Sequence, residues 1–112
     1  MLRYTTLTLS GVAGAQDTGQ PYFGYLNYIR VAYTNGNALG TLVVTDKATG
    51  LTLLDTSAAT AVEGPVRQDA IDADGAAISG VAAPIPVIGY ITATWAAHNS
   101  NTEITLELWI DE

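Results

Sequence analysis

Apolar and polar residues alternate most regularly in the last stretch of the chain, Pro86 to Glu112. Successive side chains of a strand point to opposite faces, so the alternation over Thr102 to Asp111 indicates a strand with one buried face. Another strand is predicted for Val87 to Ala97, and His98 to Asn101 between the two consists of turn-forming residues. The stretch therefore predicts an antiparallel β-hairpin, whose second strand buries Ile104, Leu106, Leu108 and Ile110.

The longest β-like run, Pro21 to Thr34, is apolar on both faces. Such a strand is typical of the centre of a sheet, or of a surface covered by a neighbouring subunit. Asn35-Gly36 follows it, and because both residues accept positive φ the pair predicts a hairpin. Strict alternation divides the run into one face with Phe23, Tyr25, Ile29, Val31 and Tyr33, and another with Tyr22, Leu26, Tyr28, Arg30 and Ala32.

The rest of the chain contains short β-like runs separated by turn residues, without a helical period. The pattern predicts an all-β fold, an antiparallel β-sandwich or a small jelly-roll-like β-barrel of about seven to eight short strands. Residues 1–112 are expected to form a single β domain, in which residues 1–20 supply an N-terminal strand and an arm. The predicted segments are strands at Leu2–Ser10, Thr41–Thr45 and Leu51–Thr56, an arm or loop at Gly11–Gln20, a turn at Asp46–Gly50, and short strands near Val66–Ile71 and Ala77–Val81 within a long connection.

Charged residues make up only 13% of the 112 residues, and the net charge is −7. A surface with so few charges is tolerable where partners cover part of it. The four basic residues are dispersed, so we expect no nucleic-acid partner. There is no cysteine, hence no disulfide and no thiolate metal site. No secretory signal or membrane-length apolar run occurs, which predicts synthesis in a cytoplasm and no membrane partner.

The residues that usually carry catalysis do not form a recognisable constellation. The single histidine, His98, is predicted to be a solvated turn residue, and Ser100 beside it lacks an orienting carboxylate. We therefore expect no enzyme activity and no cofactor. A calcium loop built on Asp72, Asp74 and Gly75 lacks the carboxylates needed at its first and twelfth positions. A tight turn is favoured there and no metal site is predicted. The binding of a single cation near these aspartates is left as an open alternative.

The aromatic residues are the remaining candidates for a binding surface. Trp109 alternates onto the polar face of the last strand, where an indole is typical of a protein interface. The candidate interface residues are Tyr22, Tyr25, Tyr28 and Trp109. The alternative is a carbohydrate- or receptor-binding module that uses Trp109 or Trp95 as a stacking platform.

The chain contains, in this order, the segments Tyr28–Tyr33, Leu42–Val44, Gly64–Asp69, Asp74–Ala77 and Pro86–Ile91, followed by the closing amphipathic strand. The order of these segments resembles that of small virion proteins of tailed bacteriophages, including head decoration (cement) and minor structural proteins. The resemblance implies a β-sandwich or barrel on the capsid surface of a virion, often a homotrimer, that clamps neighbouring major capsid proteins and has no catalytic residues. It would make residues 1–20 the capsid-gripping arm; a tail or neck assembly subunit is a further alternative.

Overall fold

The computed structural model describes residues 1–57, 59, 61–65, 67–71, 74 and 76–112, of which residues 65, 67–71 and 77–82 are described by their backbone alone. These described residues contain ten strands and no helix. In chain order the strands are β1 (Leu2–Ser10), β2 (Gly14–Asp17), β3 (Tyr22–Thr34), β4 (Thr41–Asp46), β5 (Thr52–Thr56), β6 (Val62–Pro65), β7 (Arg67–Ile71), β8 (Ala77–Gly89), β9 (Ile91–Ala96) and β10 (Glu103–Asp111).

The strands form two antiparallel sheets that pack face to face, which confirms the predicted all-β sandwich. The larger sheet has the order β1-β10-β3-β8-β7, with β6 also paired to β3, and the smaller sheet has the order β2-β9-β4-β5. Strands with one apolar face are stable in this arrangement because the two apolar faces cover each other. The core residues are Leu7, Leu9, Tyr22, Leu26, Ile29, Val31, Ile85, Val87, Ile104, Leu106, Leu108 and Ile110 from the larger sheet, and Leu42, Val44, Leu53, Ile91, Ala93 and Trp95 from the smaller.

The predicted C-terminal hairpin is wrong, because its two strands lie in opposite sheets. β9 pairs with β2 and β4, whereas β10 pairs with β1 and β3. The connection at residues 97–102 therefore crosses the sandwich. The strand predicted for Val87 to Ala97 is also divided, since the chain changes sheet between β8 and β9 at Gly89, which has a φ of 118°.

The hairpin predicted at Asn35-Gly36 is wrong for the same reason. Asn35 does adopt a positive φ of 56°, but β3 and β4 belong to different sheets. The two crossing connections meet at one end of the sandwich, where Thr102 Oγ1 and Asn99 Nδ2 both donate to the Asn35 carbonyl, at 2.8 and 3.1 Å. The turn at Asp46–Gly50, by contrast, joins the paired strands β4 and β5 as predicted.

The segment predicted as an arm, Gly11–Gln20, is tied into the smaller sheet. Its residues Gly14–Asp17 form β2 and pair with β9. Thr18, 3% exposed, follows directly, and its backbone N–H donates to the Ile91 carbonyl at 2.9 Å. This segment closes one edge of the sandwich and is not a free arm in the structure.

A β-bulge in β3 changes the predicted division of its faces. Leu26 and Ile29 are both buried although they are three residues apart. The register with β10 shifts between Trp109 and Ile110, which leaves Asn27 as the extra residue. Beyond the bulge the faces exchange. The inner face therefore carries Tyr22, Leu26, Ile29, Val31 and Tyr33, and the outer face Phe23, Tyr25, Tyr28, Arg30 and Ala32.

Candidate functional site

The outer face of the larger sheet carries a group of exposed apolar and aromatic side chains at one end. We call this group the aromatic face. Five of its members are at least half exposed, with Phe23 at 59% the most accessible. Cross-strand pairing brings them together, because Leu2 and Tyr25 flank Asp111 and Phe23 lies opposite Ile88. The aromatic face consists of Leu2, Tyr4, Phe23, Tyr25, Tyr28, Ile88 and Trp109.

Trp109 lies on the middle one of three adjacent strands, between two tyrosines on the neighbouring strands. β10 is flanked by β1 and β3, and the register places Tyr4 and Tyr28 directly opposite Trp109 on either side. The Tyr4 and Trp109 ring centroids are 5.0 Å apart with an interplanar angle of 52°, and those of Tyr28 and Trp109 are 5.4 Å apart at 85°. Tilted and edge-to-face rings attract each other, so the three side chains hold one another in place.

A row of charged residues borders the three rings on the same face. Arg30 lies between two carboxylates, 3.5 Å from Glu107 on one side and 3.5 Å from Glu63 on the other. The Tyr4 hydroxyl donates to Glu107 at 3.1 Å and the Tyr28 hydroxyl donates to Glu63 at 2.9 Å. Because the bond to Glu63 favours the protonated phenol, it raises the pKa of Tyr28 above its usual value.

These bonds restrict the rotamers of both tyrosines before any partner arrives. A side chain that is already ordered loses less conformational entropy when a complex forms, so it contributes more to affinity. The face thus combines ordered aromatic rings with one cation between two anions at one border, and with the exposed Asp111 between Leu2 and Tyr25. Such a surface can bind an apolar partner and align it through charge.

The structure places three of the four predicted interface residues on the aromatic face and the fourth in the core. Tyr25, Tyr28 and Trp109 lie on it. Tyr22 is wrong as an interface residue, because its side chain is 2% exposed and packs in the core. Sequence reasoning missed Leu2, Tyr4, Phe23 and Ile88. Their apolar character was visible, but only the pairing of β1 and β8 with distant strands brings them together.

The two other residues considered for chemistry are buried. His98 is 5% exposed, so the prediction of a solvated turn residue is wrong. Its Nε2 lies 3.1 Å from the Thr41 carbonyl, and its Nδ1 lies 3.5 Å from the Asn37 N–H, which assigns the proton to Nε2. Trp95 is 7% exposed, which excludes it as a stacking platform.

The acidic segment considered as a cation site lies largely outside the described residues. Asp72 and Gly75 belong to the part that is not described, and Asp74 lies in the turn between β7 and β8. Within the described ranges, no three histidine, aspartate or glutamate side chains are grouped so that they could hold a metal ion. The described residues also contain no helix long and apolar enough to cross a membrane.

Comparison of the chain with protein-family models, with curated proteins and with solved structures gives no match. The aromatic face and its charged border are therefore the features on which a function can be argued.

Proposed function

We propose that this protein is a non-enzymatic structural protein that docks onto another protein through its aromatic face. The observation that carries the proposal is the exposure of Phe23 and Tyr25 on β3 and of Tyr4 on β1, at 59%, 53% and 51%, all on the outer face of the larger sheet. A contiguous apolar patch on a protein surface marks an interaction site, and aromatic residues with arginine are enriched where proteins meet. Arg30 lies at the border of the patch between Glu63 and Glu107, where it would orient the partner.

The class of partner rests on the resemblance to small virion proteins of tailed bacteriophages. On that basis we propose the major capsid protein lattice, which this protein would stabilise as a head decoration (cement) protein on the virion surface. The resemblance also implies a homotrimer. In this proposal the contact comes from the aromatic face and not from residues 11–20, because β2 is held in the smaller sheet.

A carbohydrate-binding function is less well supported by the ring geometry. Sugars stack on exposed aromatic faces, and an extended glycan needs several rings in one plane. The rings of Tyr4 and Tyr28 are inclined to Trp109 by 52° and 85°, so the three do not form such a plane. Titration of Trp109 fluorescence with a glycan panel tests this alternative, because a saturable shift lost in Trp109→Ala would favour it.

The proposed function is tested by co-sedimentation with empty heads of a tailed bacteriophage that encodes this protein. We expect the unmodified protein to bind and Phe23→Ala to bind about tenfold more weakly, because a truncated anchor loses contact area in the partner. Phe23 is suited to this test because its exposed ring contributes little to the core.

The matched control is Leu39→Ala, which shortens a 79% exposed apolar side chain outside the aromatic face and should bind normally. Far-UV circular dichroism verifies that both variants are folded. Equal binding of the two variants to the heads would show that the aromatic face is not the docking surface. Failure of the folded, unmodified protein to bind heads would overturn the capsid partner, and tail or neck structures would be assayed next.

A further inference from the structure

The first strand is an edge of the larger sheet with one free side. β1 pairs with β10 over all nine of its residues, and no other described strand pairs with it. The Met1 carbonyl accepts from the Glu112 N–H at 2.9 Å, and the Gly11 N–H donates to the Thr102 carbonyl at 3.0 Å. In an antiparallel pair, the N–H and C=O of one residue point to the same side, and this side alternates along the strand. The odd-numbered residues therefore bond to β10, and the free side presents the backbone groups of Leu2, Tyr4, Thr6, Thr8 and Ser10.

This edge lacks the features that usually protect an edge strand from pairing. Proteins protect edges with proline, bulges, charges or very short strands. β1 is nine residues long, has a continuous register and contains no proline. Its single charge, Arg3, is paired with Glu112 at 2.8 Å. The edge strands of the smaller sheet are shorter and charged: β2 has four residues and includes Asp17, and β5 has five and includes Asp55.

We propose that the free edge of β1 pairs with β1 of a second copy of this chain, antiparallel, about a two-fold axis at Thr6. The arrangement is self-complementary because every residue that faces the edge meets a residue that also faces it. Leu2 then lies opposite Ser10, Tyr4 opposite Thr8, and Thr6 opposite Thr6. Five donors and five acceptors in each copy give about ten hydrogen bonds across the junction.

The side chains at this junction suit a second copy better than a charged partner. All five edge residues are uncharged, although the chain has a net charge of −7. The nearest carboxylate to Thr6 on the outer face is that of Glu107, one strand further in. Opposed threonines stabilise a strand pair, and opposed like charges would destabilise it. The two larger sheets would join into one sheet with both aromatic faces on the same side.

The proposal does not rest on the proposed function, because the edge pairs through backbone groups of β1, although Leu2 and Tyr4 of the aromatic face also border the junction. It also makes a different prediction from the bacteriophage resemblance. Pairing of identical edges about a two-fold axis closes at two copies. A trimer in solution would therefore overturn it.

The first test is sedimentation velocity of the full chain over a range of concentrations. We expect a reversible monomer–dimer equilibrium that Thr6→Pro weakens about 5- to 150-fold, because two symmetry-related hydrogen bonds are lost. The Thr6 N–H points away from β10, so proline removes no bond within the monomer.

Thr6→Lys is a second variant that places like charges opposite each other. Thr105→Lys, on the same face of β10, is the control that should still dimerise.

The second test locates the junction by cross-linking. The chain has no cysteine, so Thr6→Cys introduces the only thiol. Opposed residues of a hydrogen-bonded pair have Cα atoms about 5.5 Å apart, within the range of a disulfide, so oxidation should give a covalent dimer. In Thr105→Cys the thiols would be three strand spacings apart across the sheet and four residues apart along it, about 20 Å in all, and should not cross-link. A monomer at all concentrations, or a dimer unaffected by both Thr6 variants, would overturn the proposal.

Discussion

At the scale of single residues, the packing is tight where the two crossing connections meet. The ring of buried His98 fills the space beside Gly40, so that a β-carbon on Gly40 would lie 2.1 Å from the imidazole Cε1. The ring is held in this position by the Thr41 carbonyl and by the N–H of Asn37. Glycine is thus required at position 40 by the proximity of the ring.

Gly40→Ala is expected to destabilise the fold by about 1–3 kcal/mol, because the added methyl group displaces a ring that two hydrogen bonds hold. Chemical denaturation measures this free energy of unfolding. Gly19→Ala is the control, since nothing lies within 4 Å of a β-carbon at that position, and it should change stability by less than about 0.5 kcal/mol. Equal effects of the two substitutions would contradict the proposed packing.

Tyr33 stacks on His98 with ring centroids 5.8 Å apart, and its buried hydroxyl has no hydrogen-bond partner among the described residues. Tyr33→Phe is therefore expected to raise stability by up to about 1 kcal/mol at neutral pH.

Burial raises the pKa of Tyr33 above its ordinary 10.0. The folded state thus disfavours the ionised phenol, so this group leaves stability independent of pH below pH 10.0 and lowers it as pH rises and the unfolded chain ionises first.

Denaturation of both proteins at about pH 8 and about pH 11 tests the alkaline prediction. The unmodified protein should lose more stability between these values than Tyr33→Phe does. The pKa of Tyr28 is also raised, but Tyr28 is present in both proteins and lowers the stability of both by the same amount at high pH. An identical loss in both would show that Tyr33 is not protected from ionisation.

At the scale of elements, one buried carboxylate connects the β4–β5 hairpin to the larger sheet. Asp46 is fully buried, and its carboxylate accepts from the Ala48 N–H at 3.3 Å, the Thr49 hydroxyl at 3.1 Å and the Ile88 N–H at 2.9 Å. The first two bonds shape the turn, and the third joins it to β8. Asp46 thus stabilises both the hairpin and the place where β8 leaves the larger sheet.

Asp46→Ala should destabilise the protein by about 3 kcal/mol, because it removes hydrogen bonds to a charged group and leaves the Ile88 N–H unpaired. Asp55→Ala, at an exposed position in β5, is the matched control and should change stability by less than about 0.5 kcal/mol. Thermal unfolding by calorimetry distinguishes them. A small effect at Asp46 would show that water replaces the carboxylate.

At the scale of the whole molecule, the net charge of −7 opposes any self-association. If the dimer forms through the uncharged β1 edge, its main electrostatic term is repulsion between two acidic molecules. Raising the salt from about 0.05 to about 0.5 M screens this repulsion, so the dimer should become tighter. Sedimentation at both concentrations measures the change. Weaker association at high salt would indicate a junction built on opposite charges instead.

The residues of the aromatic face could be identified only in part from the sequence. Tyr25, Tyr28 and Trp109 were identified, but strict alternation placed Tyr25 and Tyr28 on opposite faces of β3. The bulge at Asn27 puts both on the outer face. A bulge adds one residue without a distinctive composition, so the alternation on either side looks regular while its phase changes. Tyr22 was misassigned because nothing local distinguishes an inner from an outer tyrosine.

The sequence by itself determined the all-β class, most strand positions and the apolar face of β10, because alternation and turn residues are local properties. Only the tertiary structure decided which sheet each strand joins. β9 and β10 each bury one face against the core, and that burial is satisfied equally by a hairpin or by strands in opposite sheets. Strand pairing uses backbone groups common to all residues, so partners are selected by how the whole core packs. The same packing exposes the aromatic face and leaves the edge of β1 free.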